Sequence, residues 1–503
     1  MGDDDAPDEL LSGATRRSFL NATAATASIG SVAVAGCLGR AGTEGSIVMT
    51  GDTDFADIMH ADEGPSVQEA LWDAGLDEDI TVEVRAGVDD SVQRMQSAQS
   101  TLQAGRSPPD IIMMDSGWTV PFILREQATQ LDDHLSSDVV DRVESTYLDA
   151  TLETARHPET DDLHALPLFV DFGMMLYRRD LLEEAGFDGE EWETEPPDWQ
   201  TFAETVAEAR DEADVEHGFT TQAASYEGLS CCTFNEAMTT WGGSYFGGRD
   251  ALFTAGDREV TVEDEPVVDA IRMMRAFIAG GDDPYAHDDF PQISPTTIVQ
   301  WSEGESLGPF EGGDAVAHRN WPFAIAETGA DEAFGEDLGV TPMPHQVSPD
   351  DAPHQGAGGP ASALGGWHLT LNPYTENVDE AAQVLEAFTD EAVMLTIFEI
   401  QGYLPPTLEL VEEADPDEIG PIARYTDQIQ IAGEHAIPRP VTDLWPEQSG
   451  VIAREVHGAY RGEKSPEDAM ADLAERLRRS EAAVEDLEGG ADGGDDGGEA
   501  DGD

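Results

Sequence analysis

The side chains best suited to chemistry in this sequence are four tryptophans and four planar polar groups, each near the end of a predicted helix or strand. They are Trp118, Trp241, Trp321 and Trp367, with Asp115, Asp171, Asn320 and Arg439. An indole ring packs against apolar C–H surfaces, while carboxylate, amide and guanidinium groups bond neighbouring hydroxyl groups. Gly365 and Gly366 precede Trp367 and let the backbone approach a ligand. This combination is typical of a site that binds a sugar.

Catalysis by such residues is the first alternative. Glycoside hydrolysis needs two placed carboxylates, but among 105 acidic residues a suitable pair arises by chance almost anywhere. The sequence has no nucleophile elbow, no HExxH motif and no spaced Cys/His cluster. The segment DTDFAD at 52–57 lacks the central glycine and terminal glutamate of a calcium loop. We therefore predict a protein that is not an enzyme and has no cofactor or metal, with a secreted glycoside hydrolase as the remaining alternative.

Asp171 lies inside an apolar run from Leu166 to Tyr177, which is typical of a strand buried on both faces. The run gives way to a short helix, RDLLEEAG, that ends at Gly186. A charge inside such a strand is costly unless it is paired or reached by solvent. Two interpretations follow: a structural salt bridge with a nearby arginine, or a carboxylate that lines a ligand cleft where the strand passes between two lobes.

The elements that must position these residues alternate between strand and helix. SIVMT (46–50), ITVEV (80–84) and IIMM (111–114) are predicted strands, and the helices between them end at Gly75 and Gly105. This order predicts an α/β fold with parallel strands joined by right-handed crossovers. Ligands bind at the carboxyl ends of such strands, where Asp115 and Trp118 fall. Further elements are predicted as a strand at 315–320, a strand around Trp367, and helices that start at Asp198 and span 234–241, 266–278, 378–388 and 392–400.

The charge of the chain indicates the medium in which it works. Its 503 residues favour two domains, and 105 acidic against 25 basic residues give a net charge of −80. Self-repulsion of this size is screened in molar salt, where the Debye length is about 3 Å. We therefore predict a halophilic protein. The same charge argues against a nucleic-acid partner, whose phosphates would be repelled.

The N-terminal segment is predicted to be an export signal. TRRSFL (15–20) has the form of a twin-arginine motif, and the small-residue stretch behind it ends in VAGC, which is similar to a lipobox. We predict a signal at 1–37 with lipid on Cys37, a tether at 38–45, and a disordered acidic tail at 489–503. The protein would then lie outside the cell, anchored to the membrane by lipid.

Two further cysteines, Cys231 and Cys232, are adjacent in the sequence. A disulfide between neighbouring residues is possible but strained, so two buried thiols in a helix are the expected state and the disulfide is the alternative. The pair matches no metal-binding or redox motif.

Several segments together resemble the sugar-binding proteins of ABC importers, the maltose- and trehalose/maltose-binding group. In the family's order they are PDIIMMDSGW, LPLFVDFGMMLYRRDLL, WGGSYF, HRNWPFA, GVTPMP, GGWHL, GYLPP and RPVTDLWPE. The resemblance covers about Ser46 to Glu488 and implies a two-lobed periplasmic-binding-protein-like α/β fold with a hinge. Lobe one would comprise 45–168 plus 366–409, and lobe two 169–365 plus 410–488.

The resemblance also implies which residues line the cleft. It places Asp115, Asp171, Trp321 and Trp367 on the sugar, with Gly366 beside them. For Trp118, Trp241 and Arg439 the match is looser, and either ligand contact or packing is open. The implied partners are a di- or oligosaccharide, the permease subunits of the importer and their ATPase, with the receptor itself expected to be a monomer.

Receptors of the same fold for other solutes are the last alternative. Related iron receptors use adjacent tyrosines, and no Tyr-Tyr pair occurs here. A polyamine receptor would suit an acidic surface, but this charge is spread along the whole chain. The sequence therefore predicts an extracellular, lipid-anchored sugar receptor, with a non-sugar solute on the same scaffold as the alternative.

Overall fold

Two β-sheets organise the part of the chain that the structure describes. The computed structural model describes residues 46–61, 64–87, 91–256, 258–414 and 419–491. Its strands are β1 (Ser46–Gly51), β2 (Thr81–Ala86), β3 (Ile111–Asp115), β4 (Ala165–Phe172), β5 (Met174–Arg178), β6 (His217–Thr220), β7 (Ala315–Asn320), β8 (Leu338–Thr341), β9 (Ser362–Leu371) and β10 (Ala436–Ile437).

Helices connect and cover these strands. They are α1 (Thr53–Met59), α2 (Val67–Asp73), α3 (Ser91–Gln103), α4 (Ser116–Ile123), α5 (Ser137–Thr146), α6 (Asp149–Glu153), α7 (Arg179–Glu184), α8 (Glu191–Thr194), α9 (Trp199–Ala213), α10 (Phe234–Thr240), α11 (Glu265–Ala279), α12 (Glu303–Glu311), α13 (Phe323–Thr328), α14 (Val378–Phe388), α15 (Glu391–Gln401), α16 (Glu409–Glu413), α17 (Thr426–Glu434), α18 (Trp445–Tyr460) and α19 (Pro466–Ala491). A π-helical turn, Leu229–Thr233, precedes α10 directly.

The first sheet has the strand order β10-β9-β3-β1-β2, and β4 also pairs with β9. The pairings of β1 with β2 and with β3 are parallel, as the alternation of strands and helices predicts. β9 returns from far along the chain and pairs antiparallel with both β3 and β4. Asp115, the last residue of β3, consequently lies opposite Trp367 of β9.

The second sheet has the order β6-β7-β5-β8 and is mixed, with β7 parallel to β6 and antiparallel to β5. Helix α9 packs on this sheet. Its start is capped by Asp198, whose Oδ1 accepts the Thr201 N–H at 2.7 Å. Trp199 and Phe202 of α9 are buried in the core.

The chain passes from the first sheet to the second at Gly173, between β4 and β5. A Cβ atom there would overlap the carboxylate of Glu236 and the guanidinium of Arg319, so only glycine fits. These two side chains form a buried ion pair in which Arg319 Nε donates to Glu236 Oε2 at 2.7 Å. Glu236 Oε1 also accepts the N–H of Ala363 in β9 at 3.0 Å. The ion pair thus connects the passage at Gly173 and the start of β9 to α10.

The predicted lobe boundaries at 168/169 and 366 fall close to this passage and stay predictions. The signal at 1–37 with Cys37 and the tether at 38–45 lie outside the described residues, as does the tail beyond residue 491. Helix α19 reaches Ala491, so the first residues of the predicted tail at 489–503 are helical. Among the described helices, none combines the length and apolar character needed to cross a membrane.

Candidate ligand-binding cleft

A cavity of about 410 Å³ lies where residues from both sheets meet. This volume falls within the range of about 300–1,000 Å³ that small-molecule sites occupy. The lining residues are Ser91, Val92, Asp115, Asp171, Tyr226, Glu227, Gly228, Cys231, Cys232, Ser302, Glu303, Trp321, Gly365, Gly366, Trp367 and Arg439. Six of the nine residues predicted for the site are among them, drawn from parts of the chain more than 300 positions apart.

Two half-buried tryptophans, Trp321 and Trp367, supply the aromatic surfaces of the cavity. Each is backed by an arginine: the Arg94 guanidinium lies 3.7 Å from a ring centroid of Trp367, and that of Arg319 lies 4.3 Å from Trp321. Contacts of this type contribute about 0.5–2 kcal/mol and hold the ring in place. The two indole rings are therefore pre-positioned at the cavity wall.

Gly365 and Gly366 make room for this arrangement. A Cβ on Gly365 would lie 3.2 Å from both the Trp321 ring and the Asp171 Cβ. Gly366 has φ of +111°, and a Cβ there would lie 2.4 Å from the carbonyl oxygen of Phe169. The glycine pair thus keeps β9 close to β4 and leaves space beside Trp321.

Asp171 lies in the cavity wall near the carboxyl end of β4, half-buried. Within the described residues no side chain or backbone group hydrogen-bonds or ion-pairs with its carboxylate, so the structural salt bridge is not formed. Burial, reinforced by the nearby charge of Asp115, raises its pKa from 3.8 to about 7, although Arg319 opposes the rise. A carboxylate without a protein partner is available to accept hydrogen bonds from a ligand.

Arg439 joins the two sides of the cavity. Its Nη1 lies 3.2 Å from Asp115 Oδ1 at the end of β3 and 3.2 Å from Glu227 Oε1. Asp115 also caps α4 by accepting the Gly117 N–H at 2.7 Å. Burial raises the pKa of Glu227, and Arg439 opposes that rise. The arginine is itself buried, so its main role in this structure is to neutralise two acidic groups from opposite walls.

Three predicted site residues lie outside the cavity. Trp118 is buried beneath Trp367, edge-on at 6.2 Å between ring centroids. Asn320 is fully buried, and its Oδ1 accepts the N–H of Trp321 at 2.9 Å. Both support a tryptophan that lines the cavity. Trp241 packs in the core of the second sheet, where its Nε1 lies 3.3 Å from the sulfur of Met273, so the structure does not bring it to the cleft.

The sequence interpretation missed most of the wall formed by residues 226–232. Tyr226, Glu227 and Gly228 precede the π-helical turn, and Cys231 and Cys232 within it are joined by a disulfide. The expectation of two buried thiols was therefore wrong. Adjacent cysteines in a chain with a predicted export signal were the available signal, because disulfides persist in extracellular proteins.

A larger cavity, of about 720 Å³, lies elsewhere, beneath α3. Its lining comes from residues 50–113 alone, so it does not join the two sheets. In the described part of the chain, no group of three or more His, Cys, Asp or Glu residues is arranged to hold a metal ion. The cavity at the meeting of the two sheets is therefore the candidate site.

Comparison with known proteins agrees with this geometry. Residues 60–395 match the family model described as bacterial extracellular solute-binding protein. The chain is 24% identical over 397 residues to a probable ABC transporter-binding protein of Deinococcus radiodurans, which covers 78% of this chain and 84% of the relative.

Solved structures of this fold are also similar. Maltose-bound MalE3 of T. maritima is 26% identical with a TM-score of 0.66, over 86% of this chain and 99% of that chain. The GacH receptor of Streptomyces glaucescens, studied unliganded and with acarbose, is 18% identical with a TM-score of 0.63, over 87% and 98% of the two chains. These similarities confirm the predicted two-lobed α/β fold.

Proposed function

The chain belongs to the family of bacterial extracellular solute-binding proteins, and we propose that it is a receptor of an ABC importer that binds a sugar between its lobes. The observation that carries the proposal is the pairing of two pre-positioned tryptophans with the unpaired carboxylate of Asp171 around one cavity. Indole rings suit the C–H faces of a sugar, and the carboxylate suits its hydroxyl groups.

The size of the cavity and one of the similar solved structures favour a disaccharide. A cavity of about 410 Å³ has room for a ligand of that size. MalE3 of T. maritima, at 26% identity, was solved with maltose bound. We therefore put a di- or oligosaccharide first among candidate ligands.

The proposed partners follow from the family. A solute-binding protein delivers its ligand to permease subunits in the membrane, and a separate ATPase drives transport. Delivery requires the two lobes to open and close about the passage at Gly173, by hinge motion. We propose that the receptor acts as a monomer.

The proposed location rests on the sequence alone. The twin-arginine motif and the VAGC segment support export in a folded state and lipid attachment at Cys37. A net charge of −80 supports a very salty medium. We therefore propose a halophilic receptor held at the outer face of the cell membrane.

Calorimetric titration of the mature protein in molar salt tests the proposal. Trp367→Ala should weaken sugar binding by about thirtyfold, since central aromatic contacts are worth about 2 kcal/mol. Trp72→Ala is the matched control: Trp72 is also half-buried, but it lies on α2 and bonds the Ile80 carbonyl oxygen, away from the cavity. Wild-type affinity in folded Trp367→Ala would refute the assignment of this cavity.

A further inference from the structure

The disulfide between Cys231 and Cys232 lies in the wall of the candidate cleft, and the binding site as described so far does not use it. Both cysteines line the cavity and are about 95% buried, at 5% and 4% exposure. They lie in the π-helical turn Leu229–Thr233, immediately before α10. The two bonded residues therefore form part of the wall that a ligand would meet.

A stabilising role does not account for this bond. A disulfide contributes to stability chiefly by closing a loop in the unfolded chain, and the contribution grows with the length of that loop. Residues 231 and 232 are neighbours, so the bond closes no chain loop. Its consequences are confined to the local shape and chemistry of the turn, and hence to the cavity wall.

The turn is firmly held, so the position of the sulfur atoms is well defined. Tyr245 donates its hydroxyl to the Ser230 carbonyl oxygen at 2.7 Å, and Thr233 Oγ1 donates to the Gln222 carbonyl oxygen at 2.8 Å. Helix α10 continues the turn and presents Glu236 to the N–H of Ala363 in β9. The disulfide is thus fixed relative to the strand that carries Gly365, Gly366 and Trp367.

The chemistry of the bond suits contact with an apolar face. A disulfide has no N–H or O–H donor, and its sulfur atoms are polarisable, as in the favourable contacts that thioethers make. Polar groups flank it on the same wall: Tyr226 donates its hydroxyl to Glu303 at 2.7 Å, and Glu227 pairs with Arg439. The wall therefore offers a small apolar plate between hydrogen-bonding groups, which is what one face of a sugar ring requires.

We infer that the Cys231–Cys232 disulfide is a ligand-contacting element that, together with Trp321 and Trp367, sets affinity and specificity for the sugar. This inference rests on the proposed sugar-binding function. Reduction would replace one bonded surface by two separate thiol groups that must move apart. The reduced protein should stay folded and bind its sugar more weakly.

The test compares one protein in two states. The mature wild-type protein, in molar salt, is titrated calorimetrically with the sugar it binds best from a panel of maltose, trehalose, sucrose, glucose and cellobiose. The titration is repeated after treatment with a phosphine reductant, with the thiol state checked by alkylation and mass spectrometry. We expect reduction to weaken affinity about tenfold or more, with little change in the melting temperature of the free protein.

A variant and its own control separate the bond from the reagent. The double substitution C231S/C232S should bind as weakly as the reduced wild type and should not respond to the reductant. Equal affinity of oxidised and reduced wild-type protein would overturn the inference and leave the proposed function intact. Failure of the oxidised protein to bind any sugar would instead overturn the proposed function, and the inference with it. If the variant does not fold, the oxidised and reduced wild-type titrations decide.

Discussion

Replacement of Asp171 by asparagine should stabilise the free protein at pH 8 while it weakens sugar binding. The folded protein holds the Asp171 proton with a pKa of about 7, against 3.8 ordinarily. Folding stability therefore falls as pH rises from about 4 to about 7 and is level above that range. Each pKa unit corresponds to about 1.4 kcal/mol, so ionisation of Asp171 in the folded protein lowers the free energy of unfolding by at most about 4 kcal/mol. Since solvent reaches the half-buried carboxylate, we expect a measured gain of about 1–2 kcal/mol for the neutral amide.

Thermal unfolding in molar salt at pH 8 and pH 5 measures this gain. Removal of any negative charge relieves some repulsion in so acidic a chain, so Asp350→Asn, at an exposed loop position, is the matched control. Asp171→Asn should exceed that control by more at pH 8 than at pH 5, because at pH 5 wild-type Asp171 is ionised in the unfolded chain but still protonated in the folded protein, so only part of the cost is present. An equal gain for both variants at pH 8 would refute the reasoning from burial.

The same substitution should lower sugar affinity at pH 8. An ionised carboxylate accepts hydrogen bonds from two hydroxyl groups, whereas the amide presents one acceptor and two donors. The predicted loss is about 1.5–3 kcal/mol, the range for hydrogen bonds to charged groups. A variant that is both more stable and unimpaired in binding would show that Asp171 does not contact the ligand.

Three other substitutions test the surrounding structure. Arg439→Gln leaves the buried carboxylates of Asp115 and Glu227 without their cationic partner and should destabilise the protein by about 3–5 kcal/mol in denaturant unfolding; a loss below about 1 kcal/mol would contradict the role of Arg439 as a bridge between them. Gly173→Ala places a methyl group on the Arg319–Glu236 ion pair and should sharply lower the melting temperature, and unchanged melting would exclude this packing. Trp241→Phe should leave sugar affinity unchanged because Trp241 lies in the core, whereas a large loss of affinity would place it on the ligand.

Local patterns in the sequence predicted the elements well. Helix α14 has the predicted bounds, 378–388, and β7 has the predicted span, 315–320. Asp198 begins and caps a helix as expected, since a cap depends only on residues within one turn. These features are encoded within a few residues of chain.

Contacts between residues far apart in the sequence could not be predicted from such local patterns. Nothing near Arg439 in sequence indicates that it lies between Asp115 and Glu227. The tryptophans show the same limit: Trp241 and Trp321 both follow regular elements, yet one packs in the core and the other lines the cavity. Residue type predicts what a side chain can do, whereas its place depends on contacts between distant segments.

The disulfide shows another limit of prediction from the sequence. We expected two thiols because a disulfide between adjacent residues is strained, but the structure contains a bond between Cys231 and Cys232. The fixed π-helical turn brings the two sulfur atoms together, and this turn has no sequence signature comparable to a helix cap. Its position on the cavity became visible only in the folded chain.

Intrinsic tryptophan fluorescence of the mature protein in molar salt, titrated with maltose, trehalose, sucrose, glucose and cellobiose, tests the central claim most directly. We expect a saturable change with at least one of these sugars, because Trp321 and Trp367 lie in the wall of the cleft. In Trp367→Ala the change should be smaller and need about thirtyfold more sugar, whereas Trp72→Ala should keep it at the wild-type sugar concentration. No change with any sugar, in a protein shown to be folded, would contradict the account.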